Sequence, residues 1–340
     1  NMLPLQQARE VRDSVIEYIK ATFRFKEKDV SDAFYRFIED KKNRLFKGPY
    51  VSLKTPFVSA TKEESENIPL DITPSFPPYK HQLQAFRQLS MKNGHKPEPT
   101  LLTTGTGSGK TECFLYPILD YCYHCNQYER QTGVKVIIMY PMNALASDQA
   151  KRLAETIWND PRLKGKVTAG LFVGEGVNAQ DYPRDMGEDH IIENRNAIID
   201  TVPDILLTNF KMLDYGLMRQ EFMPLWKGNI DTEEKVLRFI VLDELHTYDG
   251  AQGTDVANLI RRLKLKLNLP KASLCPIGTS ATIGNGEDSK ARLCEYATNV
   301  FGEQFREECV IEEHRIPVEE FIDAVTMGLP DGKLIKECVF

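Results

Sequence analysis

Two short clusters in this sequence have the residue types and spacing for phosphate chemistry. The first is Thr104-Gly105-Thr106-Gly107-Ser108-Gly109-Lys110-Thr111. Glycines let backbone N–H groups turn inward on an anion with no side chain in the way. The segment follows an apolar run and opens a helical one, so the positive end of a helix adds to the loop. Lys110 would reach the β- and γ-phosphates of a nucleotide, and the Thr111 hydroxyl would ligate Mg²⁺. The strict pattern asks for Gly at the first position, where this chain has Thr104. The second cluster is Asp243-Glu244-Leu245-His246, directly after the apolar run Phe239–Leu242. Asp243 can hold Mg²⁺ through water. Glu244 can orient and deprotonate an attacking water. Phosphoryl transfer asks mainly for positioning and charge neutralisation, so a lysine and two acids are the parts it needs.

These clusters act together only if the fold brings them together. From about residue 70, short apolar runs alternate with amphipathic segments. The strand candidates are Leu101–Thr103, Val136–Tyr140, Ala169–Val173, Ile205–Leu207, Phe239–Leu242 and Pro276–Thr279. Strands alternating with helices predict an α/β fold with a mainly parallel sheet buried between helices. Catalytic loops in such a sheet sit at the carboxyl ends of the strands, and both clusters fall there. Ahead of this region, Val11, Val15, Ile16, Ile19 and Phe23 recur at helical spacing and predict a helix over 3–24. A second helix is expected over 29–43. It is broken by Gly48-Pro49-Tyr50 and followed by a proline-rich stretch containing Pro56, Pro69, Pro74, Pro77 and Pro78. The expected organisation is a helical extension over 1–70, a nucleotide-binding domain over 71–290, and a linker or start of an inter-domain region over 291–340. Val318–Met327 is a further helix candidate.

Composition narrows the class. The 340 residues are 41% hydrophobic and 27% charged, which is globular. No run approaches the ~20 apolar residues of a membrane span, and the charged, amphipathic N-terminal segment is not expected to act as a signal peptide. Asn1 ahead of Met2 reads as a remnant of tag removal, with Met2 the natural start. An odd number of cysteines, seven, without framework spacing points to free thiols in a reducing cytoplasm. A net charge of −6 excludes a uniformly basic, nucleic-acid-coating protein but leaves room for a local basic groove. Cys122-Tyr123-His124-Cys125 lacks the second ligand pair of a structural zinc site, so its thiols are expected to pack. Arg261, Arg262, Lys264 and Lys266, and likewise Lys41, Lys42 and Arg44, are either solvated faces or nucleic-acid contacts.

The residues carry a resemblance. Asp243-Glu244-Leu245-His246 matches the Asp-Glu-x-His signature of superfamily 2 helicases, and Ser280-Ala281-Thr282 resembles their third motif. The resemblance implies ATP as the nucleotide, with Mg²⁺, and Lys110, Asp243, Glu244 and His246 as the catalytic set. It implies that Ser280, Ala281 and Thr282 couple nucleotide state to domain movement. Tyr79-Lys80-His81-Gln82 is similar to the adenine-reading segment, with Tyr79 stacking on the base and Gln82 bonding its edge. Tyr140–Gln149 and Thr208-Asn209 look like motifs Ia and Ib. There Asn143, Thr208 and Asn209 would touch the phosphate backbone of one strand, a role that suits short polar side chains and loop amides. Phe210 stands where many relatives have Pro. The run His246–Leu263, with its glycine-containing loop and Arg-rich helix, and the Thr-Gly-Thr start of the phosphate loop are similar to the MrfA-like group. That group includes DNA-repair helicases and is related to the large helicases of bacterial DISARM and Druantia anti-phage systems. The resemblance covers roughly residues 75–300. It implies a RecA-like domain of an ATP-dependent DNA helicase or translocase, working in genome maintenance or anti-phage defence. Its expected partners are DNA, as single strand or duplex with overhang, and defence or repair proteins, with no membrane.

A complete motor of this superfamily has two RecA-like domains. After Thr282 only 58 residues follow, too few for a second domain of about 150. No Gln-x-x-Gly-Arg-x-x-Arg-type run is present. The sequence therefore reads as the N-terminal part of a longer polypeptide. The remainder of that polypeptide is an expected partner, and hydrolysis without it is expected to be weak. An ATP-gated DNA clamp or sensor and an RNA helicase stay open as alternatives. A transporter-type ATPase lacks its Leu-Ser-Gly-Gly-type signature here.

Overall fold

The computed structural model describes residues 4–39, 54–105, 107–128, 131–174, 181–281 and 288–321. The chain forms two compact units, Asn1–Thr55 with Pro317–Phe340, and Pro56–Ile316. In the first, α1 (Pro4–Thr22) and α2 (Lys28–Glu39) are joined by the Lys20–Glu39 ion pair at 2.6 Å and by the Tyr35 hydroxyl, which donates to the Lys20 carbonyl. Phe25 and Phe34 meet edge to face, 5.2 Å between centroids. Helix α2 is described as far as Glu39; the rest of the helix expected over 29–43, with Lys41, Lys42 and Arg44, lies outside the described residues. The Val318–Met327 helix candidate also runs beyond them.

The second unit is a seven-stranded, all-parallel sheet in the order β3-β4-β2-β5-β6-β1-β7. The strands are β1 (Thr100–Thr103), β2 (Val136–Met139), β3 (Ala169–Phe172), β4 (Ile205–Thr208), β5 (Phe239–Leu242), β6 (Cys275–Ser280) and β7 (Val310–Glu312). All but β7 are buried along their whole length, as a parallel sheet between helical layers requires. Strand residues alternate between two cores. Val136, Ile138, Phe239 and Val241 point to one. There they meet α4 (Lys80–Leu89), α5 (Lys110–Cys125) and α6 (Asn143–Asn159). Ile137, Met139, Ile240 and Leu242 point to the other. That face is covered by α8 (Phe210–Met218), α9 (Met223–Asp231), α10 (Gly250–Lys266) and α11 (Ser289–Phe301). The short helices α3 (Lys62–Glu66) and α7 (Arg195–Thr201) complete the set among the described residues. None of these helices is long and apolar enough to cross a membrane.

The unit runs from Pro56 to Ile316. Backbone bonds draw the flanks in: Val58 N–H donates to the His314 carbonyl at 2.8 Å and Ile316 N–H to that of Pro56 at 3.0 Å. Strand β7 pairs with β1 from beyond residue 290, with Leu101 opposite Val310. At three residues it is too short to leave a periodic signal in sequence.

Candidate nucleotide site

The sheet order decides which loops meet. Strand β6 lies between β1 and β5. The phosphate loop leaves β1 and the acidic pair leaves β5, so the end of β6 sits between them. Thr103 is opposite Ser280, and Leu242 opposite Gly278.

The phosphate loop is shaped by glycine and by its neighbours. Gly107 and Gly109 hold φ of +82° and +72°, left-handed values that favour glycine. A Cβ at Gly109 would also come 2.3 Å from Gln82 Nε2. Thr104, at the position where the strict pattern has Gly, is buried, and its hydroxyl accepts that of Ser108 at 2.7 Å. His81 Nε2 donates to the Ser108 carbonyl at 2.8 Å, and burial holds this imidazole below its ordinary pKa. Gly105 lies in the loop as expected, while Thr106 lies outside the described residues.

Lys110 and Thr111 open α5. Lys110 Nζ lies 3.4 Å from Glu244 Oε1 and donates to the Ser280 carbonyl at 3.1 Å. The lysine side chain is 17% exposed and the glutamate 31%, so both are reachable from solvent and neither is sealed in the core. Glu244 takes φ of +51°, a strained value for a residue with a side chain, and this aims it off the strand end. Asp243 sits deeper. Burial raises its pKa above the usual carboxylate value and the Glu244 charge adds to this, while a hydrogen bond from Thr279 opposes it. Thr279 donates to Asp243 Oδ1 at 2.6 Å and accepts the Glu244 N–H at 3.0 Å. His246 Nδ1 is 3.4 Å from Glu244 Oε2 and 3.3 Å from the Ser280 hydroxyl. Ala281 follows, exposed; Thr282 lies outside the described residues.

The segment Tyr79–Gln82 meets the phosphate loop. Gln82 Oε1 accepts the Tyr79 N–H at 2.9 Å, and its Nε2 donates to the Gly109 carbonyl at 3.1 Å. Gln82 thus ties the start of α4 to the phosphate loop. Tyr79 stacks on His81 and leans on Phe57.

At the carboxyl ends of β2 and β4 the picture divides. Asn209 Nδ2 donates to Asn143 Oδ1 at 2.7 Å, joining the two loops beside the site. Asn209 also caps α8, accepting the Met212 N–H at 2.8 Å. Phe210 is the first residue of that helix, a position proline also tolerates. Thr208 departs from expectation. It is fully buried, and its hydroxyl donates to the Phe172 carbonyl at 2.6 Å, so it fastens β4 to β3 and faces no strand. The basic cluster lies at the surface, with Arg261 and Arg262 exposed, and its side chains are engaged within the chain; Arg261 bonds Asn258 and the Asn299 carbonyl. Arg262 pairs with Asp214, Lys264 with Glu303 at 2.7 Å, and Lys266 bonds the Leu217 carbonyl, tying α10 to its neighbours. Cys122 is fully buried, and burial pushes its thiol well above the usual pKa. His81 and Thr279 stand in quoted runs, Tyr79–Gln82 and Pro276–Thr279, but sequence reading assigns neither a role, although Thr279 directly precedes Ser280 on the same strand end.

The family model for the DEAD/DEAH box helicase matches residues 79–289. The chain belongs to the DEAD/DEAH box helicase family. This helicase domain is 27% identical over 331 residues to the Druantia protein DruE of Escherichia coli strain UMEA 4076-1, an alignment covering 70% of this chain and 18% of DruE. It is 29% identical over 215 residues to the uncharacterized ATP-dependent helicase YprA of Bacillus subtilis strain 168, covering 63% and 24%. Among solved structures, the DUF1998 helicase MrfA bound to DNA and AMPPNP matches with TM-score 0.52 at 26% identity, over 78% of this chain and 31% of that one. The chain thus spans about a fifth to a third of the length of these relatives. The likeness to DruE and MrfA agrees with the group read from Asp243–Leu263.

Proposed function

We propose that this helicase domain binds and hydrolyses ATP to drive movement along DNA, as part of a longer polypeptide. The observation that carries the reading is the meeting of Lys110 with the acidic pair Asp243 and Glu244 at the strand ends flanking β6, with 3.4 Å between the lysine and the glutamate. Lys110 holds the terminal phosphates and releases Glu244 as they arrive. Glu244 orients the attacking water and accepts its proton. Asp243 and the Thr111 hydroxyl would hold Mg²⁺: Asp243 is largely buried beside a second acid, and Lys110 is the cation already near the pair; bound there, the ion would neutralise phosphate charge. Tyr79 and Gln82 take the base side. Ser280 and Thr279, placed between the lysine and the acids, feel the change in charge when phosphate leaves and pass it on through β6.

Asn143, exposed, and Asn209, half-buried and bonded to it, hold the strand's phosphates. DNA is favoured over RNA because MrfA, a relative at 26% identity, is described bound to DNA and AMPPNP. DruE's description as a Druantia protein supports a place in anti-phage defence, with genome maintenance the other setting. A second RecA-like domain elsewhere in the polypeptide would supply the remaining charge on the γ-phosphate, so the 340 residues alone hydrolyse slowly. The test is ATP hydrolysis by this chain and by the full polypeptide with single-stranded DNA, duplex DNA and RNA. DNA-stimulated turnover in the full polypeptide, lost in Lys110→Ala, is expected. Stimulation by RNA alone, or turnover indifferent to Lys110, would refute it.

A further inference from the structure

A nucleotide in this site has a direction, and the direction leads to a residue outside every motif. Lys110 faces Glu244 and the Ser280 carbonyl, at the β5 and β6 side of the phosphate loop. A nucleotide whose terminal phosphate met Lys110 on the β5 side would carry its base the other way, past Gln82 and toward β7 at the sheet edge. The chain leaving β7 crosses that end. Glu313 Oε2 accepts the Gly105 N–H at 2.7 Å, and Glu313 Oε1 accepts Arg315 Nε at 2.6 Å. The Arg315 guanidinium lies over the Phe57 ring, 4.0 Å from its centroid, and Phe57 packs on Tyr79 at 5.2 Å. A Cβ added at Gly105 would be 3.9 Å from Arg315 Nη2, which puts that nitrogen at the start of the phosphate loop. The backbone bonds between 56–58 and 314–316 fix the segment in place.

We propose that Arg315 is a nucleotide-contacting residue that completes the base-and-ribose end of the site. The inference rests on the ATP-site reading above and adds a residue to it. Arginine keeps its charge and presents a planar fork of donors. Here Glu313 fixes the Nε end and Phe57 fixes one face. An arriving nucleotide therefore has little side-chain freedom left to freeze. The Arg315 side chain is 25% exposed, enough for a small ligand to reach it. Glu313 balances its charge until then and, through Gly105, links it to the loop that carries Lys110.

Calorimetric titration separates the two ends of the ligand. Mg²⁺–ATP carries base, ribose and phosphates; inorganic tripolyphosphate with Mg²⁺ carries phosphates alone. Arg315→Ala is expected to weaken ATP binding about tenfold, with tripolyphosphate affinity held within about twofold and the melting temperature lowered only slightly, by the loss of the Glu313 and Phe57 contacts. Arg315→Lys, which keeps the charge and loses the fork, should recover only part of the loss. Unchanged ATP affinity would overturn the proposal. So would equal losses for both ligands, since Arg315 would then merely support the loop. Failure of the unaltered chain to bind either ligand is a different result, and it would sink the nucleotide reading itself.

Discussion

Thr279 donates its hydroxyl to Asp243 across 2.6 Å, and this joins the carboxylate of one strand end to the next strand in the sheet. The same oxygen accepts the Glu244 N–H, so one threonine fixes both acids. Thr279→Val keeps the shape and removes the bond. A carboxylate that loses a donor to its charged form titrates higher. The acid limb of the hydrolysis profile should move to higher pH, and kcat should fall roughly tenfold, with KM changed less, on the scale of one charge-assisted hydrogen bond. A pH–rate profile superimposable on that of the unaltered protein would count against this.

Asp243 itself should cost stability in the nucleotide-free chain. Its folded pKa is raised by burial, so the unfolded chain ionises first as pH rises. Its cost is absent below the ordinary carboxylate value of about 4, grows as pH passes through the raised folded pKa, and is complete above it. Asp243→Asn is expected to melt higher at neutral pH while hydrolysing no ATP, and the advantage should fade on acidification toward pH ~4. Thermal melts across that range check both parts.

Glu244 and Lys110 should separate chemistry from binding. Glu244→Gln keeps the shape and removes the base, and turnover should drop by about 10²- to 10⁴-fold with ATP affinity retained. Lys110→Ala should lose affinity as well as rate. Equilibrium binding beside single-turnover hydrolysis distinguishes the two, and a rapid Glu244→Gln enzyme would remove it from the base role.

At the opposite ends of the strands, Lys135 and Asp204 form a fully buried ion pair at 2.7 Å. Thr168 N–H and hydroxyl also donate to Asp204, and Lys135 donates to the Gln131 carbonyl. Asp204→Ala leaves a buried ammonium without its anion and should cost about 3–5 kcal/mol in denaturant unfolding. Pairing it with Lys135→Met should recover much of that. A loss below about 1 kcal/mol would show the lysine finding water.

Asn209 carries two roles, and one substitution reads both. Asn209→Ala removes the α8 cap, worth about 1 kcal/mol, and the partner of Asn143. Single-stranded DNA should bind more weakly by a similar factor for every sequence tried, since phosphate contacts carry no base information. Thr208→Val should leave DNA affinity alone and lower stability instead, because its hydroxyl is spent on Phe172. Fluorescence anisotropy on both variants tests the contrast.

The sequence alone determined the local chemistry. Lys110 with its glycines and Asp243 with Glu244 are contiguous runs, and the conformations they need are set within a few residues. The strands were legible for the same reason, since a buried parallel strand is an unbroken apolar run whose ends vary by a residue or two. What only the tertiary structure decided is which distant groups share a strand end. Sheet order put β6 between β1 and β5 and so made Thr279 the tie between the acids; it placed Glu313 on Gly105; it consumed Arg262, Lys264 and Lys266 in pairs with Asp214, Glu303 and the Leu217 carbonyl; and it buried Thr208. Each of these joins residues dozens to hundreds of positions apart. No spacing rule links them, because their proximity follows from the packing of the whole sheet and the helices that cover it.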